Sequence, residues 1–248
     1  MDLKEFFAEN PSCAIAFSGG VDSSFLLYIS SRYAKKVKAY YVKSPFQPQF
    51  EYEDALKFAS GFGVELEVIK IDVLKNVLVS SNPADRCYHC KTAIFSKIIE
   101  KAAKDGFDTI LDGTNASDDA GDRPGMKALQ ELKVRSPLRE CGITKAQVRE
   151  LSKEEGLYIW NKPSYACLAT RVKTGEEITK DKLKKIEKAE NYLRRFGFTD
   201  FRVRVSDNVA KLEINKNEMY IFDDVKEILF KELKKSFDSV IPEPEVRQ

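Results

Sequence analysis

The stretch Ser18-Gly19-Gly20-Val21-Asp22-Ser23 follows an apolar run, Cys13 to Phe17, and precedes a helical one, Phe25 to Tyr33. A glycine turn between a strand and a helix N-terminus is an anion cradle. Glycines let the backbone take positive φ and approach a ligand closely, while Ser18, Ser23 and the first free helix N–H groups aim donors at phosphate oxygens. Asp22 then stands where a magnesium ion would sit. The plainer alternative is an ordinary strand-turn-helix corner, but all six positions match one pattern in the right context.

Outward from this loop, strand and helix signals alternate. Cys13 to Phe17, Val37 to Val42, Glu65 to Ile71, Thr109 to Leu111 and Leu157 to Trp160 read as strands, with helical patterns at Asp54 to Phe62 and Thr92 to Lys104. Thr144, with Gln147 three residues on, forms a capping box for a helix that stops at Gly156. The pattern predicts an α/β fold with a doubly wound parallel sheet, whose ligand binds beyond the carboxyl ends of the strands. Beyond residue 170 the character changes. A helix with Leu183, Ile186, Ala189, Leu193 and Phe196 on one face precedes strands at Phe201 to Val205 and Ala210 to Ile214 and a helix near Glu218 to Lys235. The expected organisation is a main domain over 1–170 and a small α/β domain over 171–248, with a frayed tail from Pro242.

Forty-one basic residues stand against 39 acidic ones, and from Glu176 onward the count is 16 against 16. Neither half is a basic field, which favours a small-molecule substrate over nucleic acid. Five cysteines, no apolar stretch near 18 residues and a charged start, Met1-Asp2-Leu3-Lys4-Glu5, predict a cytoplasmic protein that does not span a membrane.

Cys87-Tyr88-His89-Cys90 is a CxxC, and Cys167 lies 77 positions further on. A closed zinc site wants four ligands, and the single histidine is wedged between two of the cysteines. Three thiolates can hold an iron-sulfur cluster with one iron open to an exogenous ligand. A redox pair and incidental cysteines are the rival readings. Cys13, in the leading strand, reads as a small buried hydrophobe, and Cys141 has no evident partner. After the fourth strand, the loop Asp112-Gly113-Thr114-Asn115 through Asp118, Asp119, Asp122, Arg123 and Gly125 gathers carboxylates, an amide and an arginine beside the glycine loop, where nucleotide, magnesium or substrate would bind.

The SGGxDS pattern resembles the PP-loop of the ATP pyrophosphatases, which split ATP between its α and β phosphates. It is not a Walker A loop, since no lysine follows the second glycine. The wider set, SGGVDS, CYHC, the loop from Asp112, VRSPL at Val134 to Leu138, NKPSYACLATR and FRVRV, is similar to the LarE-type sulfur transferases over nearly the whole chain. That resemblance implies an ATP- and Mg2+-dependent enzyme. It would adenylate a carboxylate of pyridinium-3,5-biscarboxylic acid mononucleotide and exchange the oxygen for sulfur, toward the nickel-pincer nucleotide cofactor. Some members sacrifice the sulfur of one cysteine, whereas others have three cysteines on a four-iron four-sulfur cluster. Carried onto this chain, Ser18, Gly19, Gly20, Asp22 and Ser23 hold phosphates and magnesium, and Asp112, Gly113 and Thr114 line the nucleotide site. Cys87, Cys90 and Cys167 are the cluster ligands. Arg171 and Arg202 suit the substrate phosphate, and Glu190 and Glu213 are acidic positions near the active site that could hold a metal. An external sulfide donor such as a cysteine desulfurase and a homo-oligomer are also implied. The chain departs from the family at Val172-Lys173-Thr174-Gly175, where members often read IPYG. Competing expectations are a tRNA thiolase, an ammonia-using PP-loop synthetase and a nucleotide-binding regulator without turnover.

Overall fold

The computed structural model describes residues 1–118 and 124–245, and divides into two compact units. The first comprises Met1–Val73 and Asp85–Tyr165. Its helix α1 (Leu3–Glu9) leads into β1 (Ser12–Ala16), α2 (Val21–Tyr33), β2 (Lys36–Lys43), α3 (Gln49–Ser60) and β3 (Glu65–Lys70). Then follow α5 (Arg86–Lys104), β4 (Ile110–Leu111), α6 (Pro124–Glu131), α7 (Pro137–Glu140) and α8 (Lys145–Glu154), with the short α4 (Val77–Ser80) belonging to the other unit. The four strands pair in the order β3-β2-β1-β4, all parallel.

Alternation along the strands sends side chains to opposite faces, so each face needs its own helical cover. Cys13, Ile15, Ala39 and Tyr41 pack with α1, α2 and α3 residues such as Phe6, Phe25, Leu26 and Phe58. Ala14, Tyr40 and Val42 pack on the other face with Phe95, Ile98 and Ala102 of α5 and Leu129 of α6. Helices on both faces make the sheet doubly wound. From β1 the chain builds outward through β2 to β3, then returns to place β4 on the far side of β1. The switch point therefore lies at the carboxyl end of β1, where Ser18 to Ser23 begins α2.

One expected strand is absent. Leu157 to Trp160 forms a 3-10 turn, Tyr158–Asn161. Leu157 and Ile159 are buried while Tyr158 and Trp160 are exposed, so the segment alternates like a strand. Its carbonyls are taken locally, however: Lys162 N–H donates to Ile159 O, and Arg149 donates to the carbonyls of Trp160 and Lys162.

The second unit comprises Leu74–Ala84 and Ala166–Gln248. It contains α9 (Lys180–Arg194), β5 (Phe201–Ser206), β6 (Val209–Asn215), α10 (Met219–Leu233) and β7 (Ser239–Glu245), with sheet order β5-β6-β7. Leu183, Ile186, Ala189 and Leu193 are buried along α9, as the periodicity predicts. The tail from Pro242, expected to fray, instead continues β7 parallel to β6 as far as Glu245. Pro242 and Pro244 are two residues apart, so both missing donors fall on one side of the strand. A ladder with β6 requires that side to be the open edge, which blunts it against further pairing. Leu74–Ala84 is stitched to 173–178 by main-chain bonds from Gly175 to Asn82 O and Ile178 to Ser80 O, and by Asn82 Nδ2 donating to Lys173 O.

Candidate active site

In the first unit, the SGGVDS loop is held by its own hydroxyls. Ser18 and Ser23 hydroxyls lie 3.0 Å apart, and Ser23 Oγ donates to Gly20 O at 3.2 Å. Of the two glycines, only Gly19 has positive φ, +76°, and a Cβ there would come 3.0 Å from that of Ala55. Gly20 has φ −74° as the N-cap of α2, so its expected positive φ is not found. A Cβ at Gly20 would meet only Ser18 Oγ, leaving its value to a ligand's close approach rather than to backbone strain.

Asp22 sits in the first turn of α2, where the helix dipole favours a carboxylate. Asn115 Nδ2 donates to its Oδ1 at 3.3 Å, and the Lys145 ammonium is paired with its Oδ2. A carboxylate beside a phosphate cradle is the donor set magnesium uses, because Mg2+ takes one or two protein carboxylates plus substrate phosphates. Lys162 closes the loop from another side, donating to Gly19 O at 3.2 Å and to Asp54 at 2.9 Å. Asn115, the amide expected in the loop beside the glycine loop, is thus brought to it, whereas Lys145 and Lys162 carry no such signal in the sequence. For Lys145 the one pointer is position, since it opens the capped helix after VRSPL.

The loop after β4 is built to abut the glycine loop. Asp112 is buried and accepts from Thr114 Oγ1 at 2.5 Å and Ser136 Oγ at 2.6 Å, contacts that fix the shape of the loop. Gly113 is there for space. A Cβ on it would lie 2.7 Å from Ser23 N and 2.9 Å from Ser23 Cα, both main-chain atoms that cannot swing aside. Gly113→Ala is expected to push the two loops apart, destabilising the protein by about 1–3 kcal/mol and cutting nucleotide binding about tenfold or more. Denaturant unfolding and ATP titration check this. Asp119, Asp122 and Arg123 lie outside the described residues.

A cavity of about 180 Å3 adjoins the glycine loop at the carboxyl ends of β1 and β2, lined among others by Phe17, Ser18, Val42, Phe95 and Ile98. It is apolar except for Ser18, Gln47, Lys91 and the two tyrosines.

The cysteines fall into two groups. Burial pushes the Cys13 thiol up to about 12 and raises that of Cys141, which disfavours the thiolate form at both. Cys87, exposed, and Cys90, half-buried, lie one turn apart on α5, with the Arg86 guanidinium 3.6 Å from Cys87 Sγ. Cys167, half-buried, caps a short 3-10 turn in the second unit. Sulfur donors of this kind suit iron, although among the described residues no group of three or more His, Cys, Asp or Glu stands ready to hold a metal.

The second unit holds the basic and acidic positions. Arg171 and Glu190, expected at a substrate phosphate and a metal, are fully buried against each other, with Arg171 also bordering a cavity of this unit beside Arg204. Glu190 Oε1 accepts from Arg171 Nε at 2.8 Å and Val203 N–H at 3.1 Å. Arg171 Nη1 also donates to Ala166 O and Thr170 Oγ1. In β5, Phe201, Val203 and Val205 are buried, which turns Arg202 and Arg204 together to the other face. Arg202 lies opposite Glu213 in the ladder. Arg204, which the sequence reading passed over, is paired with Glu213 Oε1 and donates to Thr170 O at 2.8 Å. Glu213 Oε2 is buried without a hydrogen-bond partner, a state that suits a cation's ligand. Arg204, Lys173, Lys211, Thr174 and Ser206 line a cavity of about 310 Å3, so the departure at Val172–Gly175 shapes an anion-receptive wall.

A parallel α/β sheet with this loop at its switch point defines a PP-loop ATP-utilising protein. A family model described as queuosine biosynthesis protein QueC matches residues 12–87. The chain is 35% identical over 239 residues to an uncharacterized protein of Synechocystis sp., covering 96% of this chain and 88% of that protein. It is 35% identical over 231 residues to an uncharacterized protein of Methanocaldococcus jannaschii, with coverage of 93% and 88%. It is 31% identical over 215 residues to the pyridinium-3,5-bisthiocarboxylic acid mononucleotide synthase of Lactiplantibacillus plantarum, with coverage of 85% and 78%. The chain belongs to that synthase's family, the LarE-type PP-loop sulfur transferases. Among the described residues, no helix is long and apolar enough to cross a membrane.

Proposed function

We propose that this protein uses ATP to adenylate a carboxylate of pyridinium-3,5-biscarboxylic acid mononucleotide and replaces that oxygen with sulfur, toward a nickel-pincer nucleotide. The observation that carries the reading is the Asp22 carboxylate, held by Asn115 and Lys145 at the head of α2 in a chain of this family. Adenine suits the cavity lined by Phe17, Val42 and Phe95, which leaves the phosphate chain at Ser18 to Ser23. Free N–H groups at the start of α2 and the Ser18 and Ser23 hydroxyls face developing phosphate charge, and Asp22 holds the magnesium ion. A substrate carboxylate oxygen attacks the α-phosphorus as the bond to the β-phosphate oxygen breaks, and pyrophosphate leaves with the electron pair. Sulfide then adds at the activated carbon, and AMP departs with the original oxygen. Arg204 and its cationic neighbours around the second cavity suit the phosphate of the mononucleotide.

Cys87, Cys90 and Cys167 are the proposed ligands of a four-iron four-sulfur cluster. When bound, such a cluster supplies sulfide at an iron that lacks a protein ligand, sparing the cysteines. Anaerobically reconstituted protein is expected to carry about four irons per chain, the number this cluster type holds. Cys87→Ala, Cys90→Ala and Cys167→Ala each lower iron content, and Cys13→Ala and Cys141→Ala leave it unchanged. Equal behaviour of the two groups would overturn the ligand assignment. With ATP, Mg2+, sulfide and the biscarboxylate nucleotide, mass spectrometry should find thiocarboxylated product over several turnovers and an intact Cys167. Dehydroalanine at Cys167 would show a sacrificial donor instead, and thiolated tRNA without thiocarboxylated nucleotide would move the protein to another PP-loop class.

A further inference from the structure

The glycine loop contains no lysine, yet a lysine reaches it from elsewhere in the first unit. Lys145 is the first residue of α8, 123 positions beyond Asp22, and its ammonium is paired with the Asp22 carboxylate. Its backbone is fixed: Lys145 N–H donates to Ser117 Oγ at 3.0 Å, and Ala116 N–H donates to Ile143 O at 2.8 Å. The Thr144 capping box secures the same turn. The side chain is the movable part, a flexible four-carbon stem carrying a compact charge.

On the reading that Asp22 binds magnesium beside ATP, an ammonium and a divalent cation compete for one carboxylate. We propose that Lys145 is the phosphate-binding cation of this site, holding Asp22 while nucleotide is absent and passing to the β and γ phosphates when magnesium and ATP bind. Lys145 therefore has two partners of the same sign, used in turn. In the adenylation step it moves no proton. Its charge lies against the oxygen of pyrophosphate that receives the electron pair when the bond from the α-phosphorus breaks, the place where fixed positive charge stabilises the transition state most. Lys162 bonds Gly19 O and Asp54 rather than the Asp22 carboxylate, so it fastens the loop without competing with magnesium for that group.

The two roles move binding in opposite directions, which a purely structural ion pair would not do. Full-length Lys145→Met protein without nucleotide is expected to bind Mn2+ about tenfold more tightly than wild type, because the competing ammonium is gone. The same variant is expected to bind Mg2+–ATP and inorganic pyrophosphate at least tenfold more weakly, with Lys145→Arg within about threefold of wild type. Calorimetric titration of each ligand, with circular dichroism to verify the fold, reads all three. Wild-type affinity of Lys145→Met for ATP and pyrophosphate would overturn the proposal and leave the ATP reading intact. Failure of wild-type protein itself to bind Mg2+–ATP would overturn both. Should Lys145→Met not fold, a tenfold loss of pyrophosphate affinity in Lys145→Gln supports the proposal and an unchanged affinity overturns it.

Discussion

Asp22→Ala is expected to lower ATP-dependent pyrophosphate release by about two to three orders of magnitude while leaving the fold intact. The carboxylate is the acidic side chain of the glycine loop, and among the described residues it is the one that Asn115 Nδ2 and Lys145 Nζ bond. On the proposed mechanism, magnesium would lose its protein ligand without it and the phosphate chain its fixed point. The structural cost is small, because Asp22 is partly exposed and its favourable interaction with the start of α2 is worth about 0.3–1 kcal/mol. Asp22→Asn keeps the shape and the Asn115 contact but not the charge, and should fall nearly as far. Measured pyrophosphate release within threefold of wild type for Asp22→Ala would remove the loop from the reaction.

Glu190→Gln is expected to destabilise the second unit by about 3–5 kcal/mol, the usual consequence of leaving one partner of a buried ion pair uncompensated. Glu190 sits at 0% exposure on the apolar face of α9, between Ala189 and Leu193, and serves both the Arg171 guanidinium and the Val203 N–H. The loss is a large share of the stability of any small unit. Replacing both members, as Arg171→Met with Glu190→Leu, should recover much of it, because the attraction in such a pair scarcely exceeds its desolvation cost. Thermal unfolding and protease sensitivity of 166–245 read the effect. A Glu190→Gln protein of wild-type stability that has lost metal or substrate binding would instead make Glu190 a ligand.

The local rules were legible from residue types alone. A strand, two glycines and a serine-rich helix start specify a turn and an anion cradle by chain geometry within six residues. The capping box at Thr144 and Gln147 needs only three residues of helix, and the spacing of Leu183, Ile186, Ala189 and Leu193 needs only a helical period. The alternation in FRVRV also predicted a half-buried strand. It did not say which arginine would meet a neighbour, and Arg204 rather than Arg202 lines the cavity of the second unit.

What the sequence by itself determined was therefore the α/β class, the parallel sheet and the loop at its switch point, because each depends on neighbours a few residues apart. Long-range pairing was decided only by tertiary structure. Lys145 meets Asp22, Gly113 abuts Ser23, and Leu74–Ala84 joins the unit that resumes at Ala166, each across a separation no local pattern encodes. Leu157 to Trp160 fails as a strand for the same reason, since the Trp160 carbonyl is taken by Arg149 and those of Leu157 and Ile159 by nearby main-chain N–H groups. Burial decided the last case. Arg171 and Glu190 carry ligand-like chemistry in the sequence, but a charge enclosed away from water must find its opposite, and in this fold they found each other.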